Sequence, residues 1–260
     1  MRRSKLLAAL MLGLSLSIGS AASRAELPVI VAAASDLKFA LDEVAQRYQA
    51  ETGQVLRLSY GSSGNFVQQI VQGAPFDLFL SADENYVFDL NRRGLTVSEG
   101  VLYAIGHVVL FTPNGSPVHA DAQLQDLKLA LADGRLQKLA IANPKFAPYG
   151  RAARAVLQSR GLWEAAQPHL VFGENVAQAA QFAASASTQA GIFALSLAKS
   201  PNYAKAGAYV ILNDDWHAPL RQRMVLLKRS AATARLFYEY MQQPAARAIF
   251  KRYGFALPGE

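Results

Sequence analysis

The sequence predicts an α/β fold with mostly parallel sheets. Short apolar segments typical of buried strands alternate along the chain with segments whose apolar residues recur at helical spacing. There is no internal repeat and no Ser-, Gly- or Pro-rich linker, so if the chain forms two domains, strands join them rather than a flexible tether. In such folds ligands gather at the carboxyl ends of the strands, and a binding site is expected there.

The predicted elements follow one another in a regular order. Residues 29–34 are small and β-branched and follow Pro28, as in a strand buried on both faces, whereas Leu37, Leu41 and Val44 recur at helical spacing. Further strands are predicted at residues 56–60, 76–80, 108–111, 139–141, 191–194, 209–212 and 224–227. Helices are predicted at residues 37–50, 64–72, 84–93, 151–160, 176–187 and 231–249.

Residues 1–25 have the pattern of a secretory signal peptide. Arg2, Arg3 and Lys5 precede an apolar run at residues 6–18, and small residues at its end offer a cleavage site. No later stretch approaches about 18 uninterrupted apolar residues, and the chain has no cysteine for a disulfide, a thiolate metal site or a lipid anchor. We therefore expect a soluble protein outside the cytoplasmic membrane, in a periplasm.

The charge of the chain indicates an ordinary soluble surface. The full sequence carries 26 basic and 19 acidic residues, and removal of the basic residues of the leader lowers the net charge from +7 to +3. Apart from Lys251 and Arg252, lysines and arginines are scattered rather than clustered with aromatic residues. The sequence therefore predicts no nucleic-acid partner.

Ser35 stands where the first predicted strand ends and a helix begins. Unpaired backbone N–H groups and the positive end of the helix dipole converge at such a junction, and a serine hydroxyl beside them completes a place for an anion. Serine is also favoured as the N-cap of any helix, so Ser35 alone does not distinguish the two roles.

Three further junctions repeat this chemistry. Residues 59–66 place a serine pair between Gly61 and Gly64 ahead of a helix, and the glycines let the backbone come close to a ligand. Residues 143–151 form a proline-rich loop that runs into a helix, and Asn175 can cap another. Four such junctions in one α/β chain suggest that several helix N-termini converge on one ligand.

Competing chemistries find little support in the sequence. The serine-rich turn lacks the Gly-Lys-Ser/Thr ending of a P-loop and the G-x-S-x-G spacing of a nucleophile elbow, and no G-x-G-x-x-G follows the first strand. His107, His119, His169 and His217 match no metal-binding spacing and no catalytic motif. A zinc site is therefore not expected, and a secreted hydrolase that uses Ser63 is kept only as an alternative.

Five segments together resemble the periplasmic molybdate-binding proteins of molybdate ABC transporters. The segments are residues 32–35 (AAAS), 62–63 (SS), 73–83 (GAPFDLFLSAD), 148–150 (PYG) and 249–255 (IFKRYGF). The likeness extends over essentially the whole chain after the leader. Its most specific parts are the blocks at residues 73–83 and 249–255. It implies a type II periplasmic-binding-protein fold, in which two α/β lobes with mixed, mostly parallel sheets are joined by two crossover strands. Lobe 1 is expected at residues 26–107 and 211–260, and lobe 2 at residues 108–210.

The resemblance also implies binding without enzymatic activity and without a cofactor. The implied ligand is molybdate or tungstate, held through its oxygens with no direct ligand to the metal. The implied partners are this small oxyanion and the membrane permease of an ABC transporter, and the protein is expected to act as a monomer.

Five residues match the positions that bind the oxyanion in this family: Ser35, Asp36, Ser63, Tyr149 and Val176. The resemblance gives Ser35 and Ser63 the role of hydroxyl donors from lobe 1. It gives Tyr149 and Val176 the role of backbone N–H donors from lobe 2.

The residue Asp36 is the reason to consider a different anion as the ligand. Many relatives have a tyrosine at the position of Ala194, and a subset that lacks it compensates with the residue after the first serine, which here is Asp36. We expect its carboxyl group to face solvent in the first helical turn, where the dipole stabilises it by about 0.3–1 kcal/mol, so that only its N–H serves the anion. A carboxylate that faced the anion would favour phosphate, which keeps a proton. Phosphate and sulfate therefore remain alternative ligands, and Arg151 is expected to face solvent.

Overall fold

The computed structural model describes residues 28–260, and the predicted leader lies outside the described residues. The chain forms two five-stranded sheets with helices packed on them. The strands are β1 Val29–Ala34, β2 Leu56–Gly61, β3 Leu78–Ser81, β4 Val101–Gly106, β5 Val108–Pro113, β6 Leu139–Ala142, β7 Leu170–Gly173, β8 Ala190–Ala194, β9 Gly207–Ile211 and β10 Leu220–Leu226. The helices are α1 Lys38–Thr52, α2 Ser63–Val71, α3 Glu84–Arg92, α4 Gln125–Asp133, α5 Pro148–Ser159, α6 Trp163–Ala166, α7 Val176–Ala184, α8 Leu195–Ala198, α9 Pro201–Ala206, α10 Ala232–Tyr240 and α11 Pro244–Arg252.

Both sheets are mixed, with four strands in one direction and a single reversed strand. The first has the order β2-β1-β3-β10-β4, and β10 runs antiparallel to both of its neighbours. The second has the order β7-β6-β8-β5-β9, and β5 is its reversed strand. This arrangement confirms the predicted α/β class and the two-lobe type II fold. We call the part built on the first sheet lobe 1 and the part built on the second lobe 2.

The chain passes between the sheets twice. His107 alone separates β4 of the first sheet from β5 of the second, and residues 212–219 lead back from β9 to β10. The two passages touch, because Nδ1 of His107 lies 2.9 Å from a carboxylate oxygen of Asp214. The lobe boundaries expected from the sequence stay a prediction.

The first strand shows why its composition is so apolar. Val31, Ala32 and Ala33 are fully buried, and the alternation of side chains along a strand sends Ala32 into one core cluster and its neighbours into the other. Helices therefore cover both faces of the sheet, and the carboxyl end of β1 is left as the place where the chain can meet a ligand.

Two local predictions were wrong. The helix predicted at residues 231–249 is two helices, because Pro244 has no N–H and its ring clashes with the preceding turn, so it begins α11 instead of continuing α10. The strands β4 and β7 were not predicted. In β4 the apolar run continues into β5, and only the topology shows that the two belong to different sheets.

Among residues 28–260, no helix has the length and apolar content needed to cross a bilayer.

Candidate functional site

A small cavity lies between the two lobes, where strands of both sheets end. Its lining residues are Ala34, Ser35, Asp36, Gly61, Ser62, Ser63, Ala82, Ala147, Pro148, Tyr149 and Val176. The structure thus brings together all five residues predicted for the site. Among the described lining residues none is a lysine, an arginine or a histidine. Any negative charge held here is met by hydroxyls and backbone amides.

Ser35 opens a turn of 3₁₀ helix, residues 35–37, that carries the chain from β1 into α1. Its hydroxyl does not cap this turn. Its Oγ instead accepts a hydrogen bond of 3.2 Å from the N–H of Ala177, at the start of α7 in lobe 2. Because Oγ is the acceptor in this bond, the hydroxyl proton of Ser35 is available to an anion.

Ser63 is the first residue of α2, and Ser62 is the N-cap. The Ser62 Oγ accepts from the N–H of Asn65, whereas the Ser63 Oγ accepts from the N–H of Ala82 at 3.0 Å. The Ser63 hydroxyl is fully buried and keeps its own proton for the cavity. The two adjacent serines both line the cavity but have different partners: Ser62 caps the start of α2, whereas the hydroxyl proton of Ser63 is available to a ligand.

Lobe 2 presents two helix N-termini to the cavity. Tyr149 is the second residue of α5, after Pro148, and Val176 is the first residue of α7, after the cap Asn175. The N–H groups in a first helical turn have no acceptor within the helix and lie at the positive end of its dipole. Both residues are therefore placed to donate their backbone N–H to an anion.

Asp36 corrects a prediction. Its side chain was expected to face solvent, but only 1% of the residue is exposed and it lines the cavity. One carboxyl oxygen, Oδ2, accepts from Nε2 of Gln222 at 2.5 Å, and the other, Oδ1, has no hydrogen-bond partner in the structure. Burial raises the pKa of Asp36 to about 6, although the hydrogen bond from Gln222 acts in the opposite direction.

The side chain of Tyr149 also belongs to this cluster. Its hydroxyl accepts from Nε2 of Gln222 at 3.3 Å, while the hydroxyl of Tyr103 donates to Oε1 of Gln222 at 2.9 Å. Burial raises the pKa of both tyrosines well above the ordinary value, so they stay neutral. Gln222 is thereby held between Asp36 and two neutral phenols.

Polar contacts join the lobes around the cavity. The N–H of Gly64 donates to the carbonyl of Phe146 at 3.0 Å, and the hydroxyl of Ser196 in lobe 2 donates to the carbonyl of Asp36 at 2.7 Å. Arg151 was expected to face solvent, yet its guanidinium bridges the lobes at the cavity's edge. Nη2 lies 2.5 Å from Oδ2 of Asp83, and Nη1 lies 2.9 Å from the hydroxyl of Tyr86.

Sequence reasoning missed Ala177, Gln222 and Tyr103. The N–H of Ala177 could have been found, because it is the next unpaired amide after Val176 at the same helix start. Gln222 carries a weaker signal: it lies two residues from both Leu220 and Met224, on the same buried face of β10.

Over residues 28–260, no group of three or more His, Cys, Asp or Glu side chains is arranged to hold a metal ion.

Comparisons with known proteins agree with this architecture. Residues 29–256 match the family model of the bacterial extracellular solute-binding proteins. The chain is 35% identical to the molybdate-binding protein ModA of Azotobacter vinelandii over 98% of both chains. It is 34% identical to ModA of Rhodobacter capsulatus over 93% of both. The solved structure of the A. vinelandii periplasmic molybdate-binding protein superposes with a TM-score of 0.80 at 32% identity, covering 88% of this chain and 99% of that one.

Proposed function

We propose that this chain, which belongs to the family of bacterial extracellular solute-binding proteins, captures molybdate and delivers it to the permease of an ABC transporter. The observation that carries the proposal is the cavity in which Ser35, Ser63, Tyr149 and Val176 come together from two lobes. The two relatives described above, which match nearly the whole chain, are molybdate-binding proteins. Of the residues that line the cavity, none is a histidine that could serve Ser63 as the base of a hydrolase.

The donors suit a fully ionised oxyanion. A buried ion must regain in the protein the hydrogen bonds that it loses from water, and the cavity offers hydroxyls and helix-terminal N–H groups for this purpose. Hydrogen bonds to a charged acceptor contribute about 1.5–3 kcal/mol each, so a few preorganised donors are enough for tight binding. Molybdate needs only donors around it. Tungstate, with the same charge and nearly the same size, should bind as well.

We expect capture to involve movement of the lobes. Residues of both lobes line the cavity, and all of them except Gly61 are buried. The anion enters when the lobes separate, and it is held when they close around it. We propose that a monomer does this in the periplasm, with the lobes divided at residues 26–107 and 211–260 against 108–210.

Thermal unfolding in the presence of single anions tests this function. Molybdate and tungstate at low concentration should raise the melting temperature, because a ligand that binds only the folded state stabilises it in proportion to the logarithm of its concentration over Kd. Sulfate and phosphate should do so only at much higher concentration. A shift with phosphate or sulfate and none with molybdate would contradict the proposal.

The second candidate ligand is phosphate, and the position of Asp36 is the observation that favours it. An ionised carboxylate in the cavity could accept the proton that phosphate keeps near neutral pH. The same anion series separates the candidates, because a phosphate-binding protein would lose its ligand when Asp36→Asn removes the acceptor. A molybdate-binding protein would keep it.

A further inference from the structure

One buried oxygen atom at the cavity has no hydrogen-bond partner, and the proposed function does not say what its partner is. Oδ1 of Asp36 makes no hydrogen bond in the structure, although the residue is 99% buried and lines the cavity. Buried polar atoms are nearly always hydrogen-bonded, so an unpartnered one at a binding site points to an interaction with the ligand. The open question is whether this oxygen accepts a proton from the ligand or donates one to it.

The neighbours of the carboxyl group determine which oxygen can carry a proton. The hydroxyl of Tyr103 donates to Oε1 of Gln222, so the amide of Gln222 must turn its Nε2 toward Asp36. Nε2 can only donate, and it donates a hydrogen bond to Oδ2 of Asp36 at 2.5 Å. A proton on the carboxyl group of Asp36 therefore sits on Oδ1, the oxygen without a partner.

Among residues 28–260, no cation is paired with the carboxyl group of Asp36. The groups that face it are Gln222 from β10, Tyr149 from α5, Tyr103 from β4 and the hydroxyl of Ser196 from α8, all of them neutral. A buried carboxylate beside a dianion would repel it, because the protein interior screens the two charges less than water does. Burial raises the pKa of Asp36 to about 6, which shifts the carboxyl group toward its neutral form.

We propose that Asp36 meets the bound oxyanion as a neutral carboxylic acid whose Oδ1–H donates a hydrogen bond to one anion oxygen. The inference rests on the proposed function. The proton comes from solvent, and it is bound by Oδ1 as the dianion enters, so that capture of one anion takes up one proton. Asp36 is then a specificity-determining residue: as a donor it selects a fully ionised anion, whereas an ionised Asp36 would select an anion that keeps its own proton.

The test measures molybdate affinity as a function of pH. With sodium molybdate at micromolar concentration, the Kd of the natural protein should be nearly constant below about pH 6 and should rise by about tenfold per pH unit above it, as the linkage of one proton requires. Calorimetry in buffers of different ionisation enthalpy should show the uptake of about one proton per anion near pH 7.5. This second measurement needs no variant.

The variant Asp36→Asn replaces the Oδ1–H donor by an amide donor of the same shape and removes the titration. It should bind molybdate with an affinity that no longer depends on pH, and at pH 8 it should bind more tightly than the natural protein by about tenfold or more. Asp89→Asn is the matched control, because Asp89 lies on the surface of α3 and pairs with Arg92 and Arg93. This control should keep the pH dependence of the natural protein.

Three outcomes would overturn the inference while leaving anion binding intact. They are a Kd of the natural protein that does not change with pH, the absence of proton uptake, and an Asp36→Asn variant that keeps the full pH dependence. Phosphate bound more tightly than molybdate, and lost in Asp36→Asn, would show an ionised Asp36 acting as the acceptor and would also overturn it. Failure of molybdate to bind at any pH would instead overturn the proposed function.

Discussion

The two lobes contribute to the cavity in different ways. Lobe 1 brings side chains: the hydroxyls of Ser35 and Ser63 and the carboxyl group of Asp36. Lobe 2 brings backbone, since Tyr149 and Val176 face the cavity at helix N-termini. Side chains can be exchanged singly, whereas main-chain N–H groups are fixed by the helix and persist whatever residue stands there.

This difference suggests a division of labour. On the proposed function, the hydroxyls and the acid of lobe 1 select which protons the anion must lack. Lobe 2 would complete the coordination as the lobes close, with the dipoles of α5 and α7 directed at the anion. Changes that prevent closure should therefore remove more affinity than the loss of any single donor from lobe 1.

Gly64→Ala is expected to have the largest effect on affinity. A Cβ at Gly64 would lie 2.6 Å from the carbonyl oxygen of Phe146, a backbone atom of lobe 2, so the added methyl group should hold the lobes apart. Loss of the N–H groups of Tyr149 and Val176 then costs about 3–6 kcal/mol of binding free energy, at about 1.5–3 kcal/mol for each hydrogen bond to a charged acceptor. Titration calorimetry with molybdate measures the loss.

The stability of the ligand-free variant supplies its control. Alanine favours a helix by up to about 1 kcal/mol over glycine, so thermal unfolding without ligand should be unchanged or slightly raised. Gln68→Ala, on the exposed face of the same helix, should change neither quantity. Full affinity in Gly64→Ala would show that closure onto Phe146 is not needed, and the contrast between the lobes would lose its basis.

Asp36→Asn should alter the pH dependence of folding even without ligand. The pKa of Asp36 is about 6 in the folded protein against an ordinary value of 3.8, so the folded state holds the proton more tightly. Stability contributed by the neutral acid is present below about pH 4 and is lost as the pH rises through about 6. Because the variant cannot lose this contribution, its free energy of unfolding relative to the natural protein should rise by up to about 3 kcal/mol between pH 4 and pH 7.

Urea denaturation at several pH values measures this difference. A gap between the two proteins that stays constant with pH would mean that Asp36 is ionised throughout. In that case lobe 1 would present a permanent negative charge to its ligand.

The contrast between the lobes also explains what the sequence could reveal. Ser35, Ser63, Tyr149 and Val176 line the cavity. Each stands near a junction of strand and helix that is visible within about ten residues of sequence, but the family resemblance was needed to single out the last three as site residues. Helix N-termini present their N–H groups whatever the tertiary structure. Their role as anion ligands stays a prediction.

The orientation of Asp36 could not be found in this way. Its carboxyl group is held by Gln222, a residue 186 positions later in the chain on a strand that reaches the first sheet only after the whole of lobe 2. A local pattern shows an acid in a first helical turn and predicts a solvated one. The break before Pro244, by contrast, was readable, because proline inside a helical pattern ends the helix.

Ser63→Ala tests the contribution of a single donor from lobe 1. Loss of the hydroxyl should weaken molybdate binding by about 1–3 kcal/mol, or about fivefold to 160-fold. Ser62→Ala is the matched comparison, since Ser62 caps α2 through the N–H of Asn65. It should lower the free energy of unfolding by about 0.5–2 kcal/mol and leave affinity nearly unchanged. Equal losses of affinity in both variants would mean that the serine pair acts only through the helix.

Arg151→Met should have the smallest effect and tests whether the edge contact acts on closure. The guanidinium joins α5 of lobe 2 to Asp83 and Tyr86 of lobe 1, but the side chain is 40% exposed, so the pair contributes about 0.2–1 kcal/mol. Because this contact exists only between closed lobes, its loss should raise the Kd up to about fivefold and leave the unfolding of the ligand-free protein unchanged. Arg154→Met, on the same helix and stacked on Trp163 within lobe 2, should leave the Kd unchanged. A double-mutant cycle with Asp83→Asn, which keeps an oxygen to cap α3, measures the coupling. If the coupling appears in unfolding rather than in affinity, the contact stabilises the fold, and closure depends on the backbone of lobe 2 alone.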